Sequence, residues 1–201
     1  MSQQAEARAT EVFKKHGGIM TTKEAVDSGV QYRTLYSMRD QGLLERVSRG
    51  RYRLAQLAPL SDPDLSVVGL RIPRAVICLL SSLSFHGLTT QVPHAVYIAL
   101  PRGSTSPRLE HPPIRLFKFS GQALSEGIEV HDIDGIGIRI YSPAKTIVDC
   151  FKFRNQVGLD VALEALKMYR QTPGFDLNEV MHFARICRVE RVMRPYLEAI
   201  L

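Results

Sequence analysis

Residues 21–54, TTKEAVDSGVQYRTLYSMRDQGLLERVSRGRYRL, read as a helix, a tight turn, a second helix and a short hairpin with an arginine at nearly every other position. Thr21 or Thr22 can cap a helix that carries Glu24 in its first turn. The segment from Lys23 to Ser28 then ends at Gly29, the residue that tolerates a left-handed turn between helices. A second helix is expected from about Gln31 to Gln41. Leu35 and Met38, three apart, share one face, and Tyr32, Arg33, Tyr36, Ser37 and Arg39 fall largely on others. Gly42 stops it. Leu43, Leu44 and Val47 begin a strand, Ser48-Arg49-Gly50 turn, and Tyr52 and Leu54 alternate with Arg51 and Arg53 on the return. Upstream, Glu6 to His16 is amphipathic with Ala9, Val12 and Phe13 inward, a third helix closed by Gly17-Gly18. The reading is a winged helix-turn-helix over about residues 1–57.

The charge sits where such a motif needs it. Between residues 30 and 55 six arginines (33, 39, 46, 49, 51 and 53) face only Asp40 and Glu45, an excess of four in a chain whose net charge is +6. One helix fits the major groove of duplex DNA, and side chains near its N-terminal end, here Gln31, Tyr32 and Arg33, reach base edges while hairpin guanidinium groups meet phosphates. A basic hairpin that docks on a protein is the alternative. For Tyr32 and Tyr36 the structural alternative is packing against the wing or the first helix.

The chain of 201 residues, 45% hydrophobic and 23% charged, is long enough for one large or two small cores. Its start, MSQQAEARATEVFKKHGG, is polar and helical, and no apolar run approaches a membrane span, so a cytoplasmic location without membrane association is expected. Cys78, Cys150 and Cys187 are widely spaced among apolar neighbours and read as buried thiols rather than disulfides or a zinc site.

A seam follows the wing. AQLAPLSDPD (55–64) carries two prolines and no hydrophobic period, giving a connector over 58–64. Beyond it lies a second domain, residues 65–201. Leu65–Gly69 and Ala75–Phe85 look helical or mixed, and Ala95–Leu100, Ile114–Phe119, Ile128–Ile133 and Ile136–Tyr141 are strand candidates, the last two joined by the hairpin signal Asp134-Gly135. Pro143 opens a helix from Ala144 to about Arg154, and helices over Val157–Tyr169, Leu177–Arg185 and Val189–Leu201 follow. The fold class is α+β: a winged helix, then a small mainly antiparallel sheet with a helical tail.

The phrases SSLSFHGLTTQVPHAVYIALPRG (81–103) and YSPAKTIVDCFKFRNQVGLDVALEALK (141–167), downstream of GLLERVSRGRYRL (42–54), resemble the AbiEi antitoxin family of type IV toxin–antitoxin systems. That resemblance implies a winged helix on operator DNA, a C-terminal domain that counters a nucleotidyltransferase-like toxin, repression of the chain's own operon, and a role in phage defence. It places Tyr32, Arg33, Thr34, Tyr36, Ser37 and Arg39 on the recognition helix and Arg46, Arg49, Arg51 and Arg53 on the wing. With Gln31 these form the expected DNA-binding set, and two chains acting together would want paired, inverted-repeat sites. In the second domain Ser142, Pro143, Lys145, Thr146 and Asp149 match the family's helix-opening phrase. Capping by Ser142 and an Asp149 pair with Lys145 or Lys152 account for them without catalysis.

An enzyme is the rival class. Winged helices also precede nuclease-like domains, and His131-Asp132-Ile133-Asp134 with Lys145 could be assembled into a metal-dependent site. The second domain contains no acidic-x-Lys pair, Asp134-Gly135 reads as a turn, and His86, His94, His111 and His131 lack ligand spacing. A ligand-sensing one-component regulator is a third reading. The expectation is a DNA-binding antitoxin without catalytic residue, metal or cofactor.

Overall fold

A computed structural model describes residues 3–200, and its chain divides into two compact units. One runs up to Pro63 and takes in Ile133–Gly135; the other comprises Asp64–Asp132 and the chain from Ile136 onward.

The first unit is built from α1 (Gln3–Lys15), β1 (Ile19–Thr21), α2 (Thr22–Asp27), α3 (Tyr32–Asp40), β2 (Leu44–Ser48) and β3 (Arg51–Leu54). Phe13, Met20, Leu35, Met38, Leu44, Tyr52 and Leu54 close its core. Thr21 caps α2 by a reciprocal box: its hydroxyl accepts from Glu24 N at 3.0 Å, and the Glu24 carboxylate accepts from Thr21 N at 2.6 Å. Such a cap contributes about 1 kcal/mol. The Thr21 backbone N–H is also the chief reason that the Glu24 carboxyl sits below its ordinary range. β1 was not expected, since three residues are too few to show an alternation. It pairs antiparallel with β3, making a sheet of order β1-β3-β2. Gly18, at φ +80°, lets the chain entering β1 pass Leu57: a Cβ there would lie 2.5 Å from Leu57 Cδ1.

The second unit contains α4 (Pro63–Arg71), β4 (Val76–Ile77), α5 (Leu79–Phe85), β5 (Val96–Pro101), β6 (Ile114–Phe119), α6 (Gln122–Ser125), β7 (Ile128–Ile133) and β8 (Ile136–Tyr141). Then come α7 (Pro143–Lys152), α8 (Arg154–Val157), α9 (Leu159–Arg170), α10 (Leu177–Ile186) and α11 (Glu190–Ile200). The apolar run 75–85 is not one element: β4 ends at Ile77 and Cys78 caps α5. The α+β class expected from the sequence is the one the chain adopts. Within it the five-stranded sheet, order β6-β5-β4-β8-β7, is mixed, because β5–β6 and β4–β8 run parallel and β4–β5 antiparallel. Parallel neighbours need crossover connections, which local turn signals do not announce. The β7–β8 turn does announce itself: Asp134 and Gly135 both take positive φ (55° and 80°), as a two-residue hairpin of the primed type requires.

From Ala144 to Phe151 every residue of α7 is buried, so its polar side chains need partners inside the protein. They have them. Ser142 accepts from Lys145 N at 3.3 Å, Thr146 shares a 2.7 Å hydrogen bond with Ser82, and Cys187 Sγ donates to Asp149 at 3.4 Å. Lys145 pairs with Asp149, the i,i+4 partner its spacing suggested, and its ammonium lies 4.1 Å from the Tyr141 ring centre. Burial drives the Asp149 carboxyl upward, and Lys145 opposes that shift.

Candidate nucleic-acid interface

Helix α3 buries Thr34, Leu35 and Met38 and turns Gln31, Tyr32, Arg33, Tyr36 and Arg39 outward. Tyr32 and Tyr36 are 55% and 40% exposed. One helical turn apart, they stack at 6.4 Å between ring centres, and the Arg39 guanidinium lies 5.1 Å from the Tyr36 ring. Two exposed aromatic rings on the outer face of a helix burn apolar surface against water, which is tolerated where a ligand covers them. Ser37, half-buried, accepts from Gln41 Nε2 at 2.8 Å, and Arg39 is bonded to Asp40 through two nitrogens at 2.6 and 2.8 Å.

The wing is β2, the turn at Arg49-Gly50 and β3. Its tip is tied to the start of α2, since Thr22 N and Oγ1 donate to Gly50 O at 2.9 and 3.3 Å. That tie sets the hairpin relative to the helix pair, and nothing in the sequence pattern pointed to it. A register shift between Arg46 and Ser48 leaves Val47 without an opposite residue. Such a bulge re-aims the side chains around it. Arg46 and Arg49 are exposed and Arg51 is half-buried.

Two members of the expected set face inward. Thr34 is 6% exposed and belongs to the core side of α3, one residue from Leu35. Arg53 is 5% exposed; it lies opposite Glu45 in the strand register, donates to its carboxylate at 3.1 Å, and also donates to Ala58 O. The alternation in RYRL assumed that one face of the hairpin meets water. Instead the returning chain at residues 55–58 covers that face around Arg53. Arg39 and Arg53 are matched to Asp40 and Glu45 within the motif.

Residues 7–55, which carry the recognition helix and the wing, match the family model described as "Transcriptional regulator, AbiEi antitoxin". Over those residues the first unit is similar to an AbiEi-type domain. The family is one of transcriptional regulators and antitoxins, and the match to it ends before the second unit, so the phrases at 81–103 and 141–167 lie outside it. No curated protein matches the sequence. Among solved structures the chain is similar to the Rv2827c protein from Mycobacterium tuberculosis, with a TM-score of 0.60 at 12% identity over 92% of this chain and 72% of that one. At that identity the likeness is one of fold, and it extends well beyond residues 7–55.

In the second unit, Lys145 is fully buried in its pair with Asp149, which removes it from any surface site built on His131, Asp132 and Asp134. The structure does gather titratable groups elsewhere. His86, at the end of α5, and Glu129 and His131, two apart on β7, bring ligand-type atoms within 4.8 Å of one another. Forty-five residues separate the two histidines in sequence, so spacing rules for local motifs missed the group. The Glu-x-His alternation on a strand, which puts both side chains on one face, was the available signal. Burial lowers the His86 pKa and favours the neutral ring. No helix among the described residues is long and apolar enough to cross a membrane.

Proposed function

We propose that this chain is a DNA-binding antitoxin that represses its own operon and counters a nucleotidyltransferase-like toxin from the cytoplasm. The observation that carries the DNA part is the outward face of α3, where Tyr32, Tyr36 and Arg33 stand exposed beside a wing bearing Arg46, Arg49 and Arg51. Exposed rings and unburied guanidinium groups suit a polyanion with flat bases, and Gln31, Tyr32 and Arg33 occupy the end of the helix that enters a groove first. The family match over residues 7–55 supports regulation of transcription, and the antitoxin part rests on the same family together with the second-domain phrases. Chains acting in pairs would read inverted half-sites separated by about 34–36 Å or a multiple.

The test has two arms. Binding of the full chain to the DNA upstream of its own gene is measured by fluorescence anisotropy against random DNA of equal length. Affinity at least about a thousandfold higher for the upstream DNA is the expected result, within the usual range for specific regulators. Equal affinity for both would refute the repressor reading. In the second arm, a fragment of residues 62–201 is co-expressed with the toxin encoded beside the gene. Rescue of growth by a fragment that no longer binds the promoter is expected, and a folded fragment that fails where the full chain succeeds would refute neutralisation by the second domain alone.

A further inference from the structure

The group formed by His86, Glu129 and His131 has the chemistry of a metal site, and its details favour that over a chance meeting of polar side chains. His86 Nε2 lies 2.8 Å from the carbonyl oxygen of Tyr141. A carbonyl only accepts, so Nε2 carries the proton and Nδ1 presents a lone pair. A metal-bound histidine is oriented in just this manner, with its second ring nitrogen donating to a backbone carbonyl that sets the tautomer. The acceptor is held firmly, because Tyr141 is fully buried at the end of β8.

The other two donors come from one strand face. Glu129 and His131 alternate along β7, the edge strand of the sheet, and His131 Nε2 is 2.9 Å from Glu129 Oε2. Phe85 walls the site, its ring 5.1 Å from that of His86 and 4.8 Å from that of His131, while the two imidazoles are 5.8 Å apart. An apolar wall beside two imidazoles and one carboxylate is the donor set that suits zinc-like first-row cations better than calcium or magnesium, which want oxygen alone.

We propose that His86, Glu129 and His131 form a binding site for a borderline divalent cation of the zinc class. Metal–ligand bonds of about 2.0–2.1 Å in tetrahedral geometry bring donor atoms to about 3.3 Å of one another. The present limit of 4.8 Å is therefore closed by rotating side chains of about an ångström or more, chiefly Glu129, which is exposed, and His131, which is half-buried. Three protein ligands leave a fourth position for water or for a group on a partner. A bound cation would fasten the edge strand β7 to the end of α5, an anchorage that the sheet hydrogen bonds alone do not supply.

The experiment uses the full chain, stripped with a chelator and titrated with Zn2+ by calorimetry and by competition with a chromophoric chelator. One Zn2+ per chain is expected, accompanied by a rise in melting temperature that excess chelator reverses. His131→Ala and Glu129→Gln, both at accessible positions, are expected to weaken binding on the order of a hundredfold for the histidine and tenfold for the carboxylate, and to abolish the His131→Ala melting shift. His94→Ala and His111→Ala, histidines elsewhere in the second unit, are expected to bind as the parent does. His86→Ala also removes the bond to Tyr141, so its circular dichroism is recorded before its affinity is interpreted, and the outcome rests on the other two variants if it unfolds. No stoichiometric binding by the parent, or undiminished binding by His131→Ala, would overturn the site. Equal weakening by His94→Ala would do so as well.

Discussion

Tyr36 stacks against Tyr32 one helical turn away on α3, with ring centres 6.4 Å apart, and both rings face outward from the domain core. Because Tyr36 is 40% exposed, Tyr36→Ala is expected to change unfolding free energy by no more than about 0.5–1 kcal/mol. Its affinity for upstream DNA is expected to fall all the same. Denaturant unfolding beside anisotropy separates the two effects. A stability loss above about 2 kcal/mol with unchanged DNA affinity would make the ring pair structural.

Arg33, beside Tyr32 in the first turn of α3, is expected to read sequence. Arg33→Ala should cost about 1–3 kcal/mol in specific binding and leave binding to random DNA nearly as it was. An equal loss on both would move Arg33 to the phosphates.

Arg49 and Arg53, four residues apart on the wing, are expected to behave in opposite ways. Arg49 is exposed at the tip, so Arg49→Ala should weaken binding to all duplexes alike and lower the salt slope by about one phosphate's worth. Arg53 is held by Glu45 and Ala58 O, so Arg53→Ala should lower stability by about 1–3 kcal/mol through lost packing and buried hydrogen bonds. Its salt slope should match the parent's. A reduced slope for Arg53→Ala with full stability would place that side chain on DNA after all.

The Lys145–Asp149 pair has no exposed side-chain surface on either partner. Lys145→Met leaves a buried carboxyl without its cation and is expected to cost about 3–5 kcal/mol, read from denaturant midpoints. Lys145→Met with Asp149→Leu should recover most of that loss, since two apolar side chains need no compensation. A double variant no more stable than the single one would show that the partners of Asp149, Cys187 among them, matter more than the pair.

The three thiols are expected to be inert in the folded chain. Cys78 and Cys150 are buried with thiols pushed well up by burial, and the Cys187 thiol is pushed up to about 12, by burial first and the Asp149 carboxylate second. At pH 8 all three remain protonated, and only the thiolate reacts. Disulfide-exchange reagents should therefore label no cysteine in the native protein and three in denaturant. Rapid labelling of one under native conditions would contradict the burial.

Local chemistry determined much of this protein from sequence alone. Capping at Thr21, the glycine stop at Gly42, the strand-forming run Ile114–Phe119 and the Asp134-Gly135 turn each depend on neighbours within a few residues, and the elements formed there accordingly. The charge excess around α3 and the wing was legible for the same reason. Long-range contacts decided the rest. Alternation in RYRL turns Arg53 to water because it cannot see a chain that folds back over the hairpin, and the resemblance that places Thr34 on the recognition helix does not say which face it occupies. β1 and β4, three and two residues long, exist only through the strands they pair with, and the parallel pairs of the second sheet depend on crossovers. His86 meets Glu129 and His131 because the end of α5 and the β7–β8 hairpin converge, and that juxtaposition of distant side chains is a property of tertiary packing that no window of sequence contains.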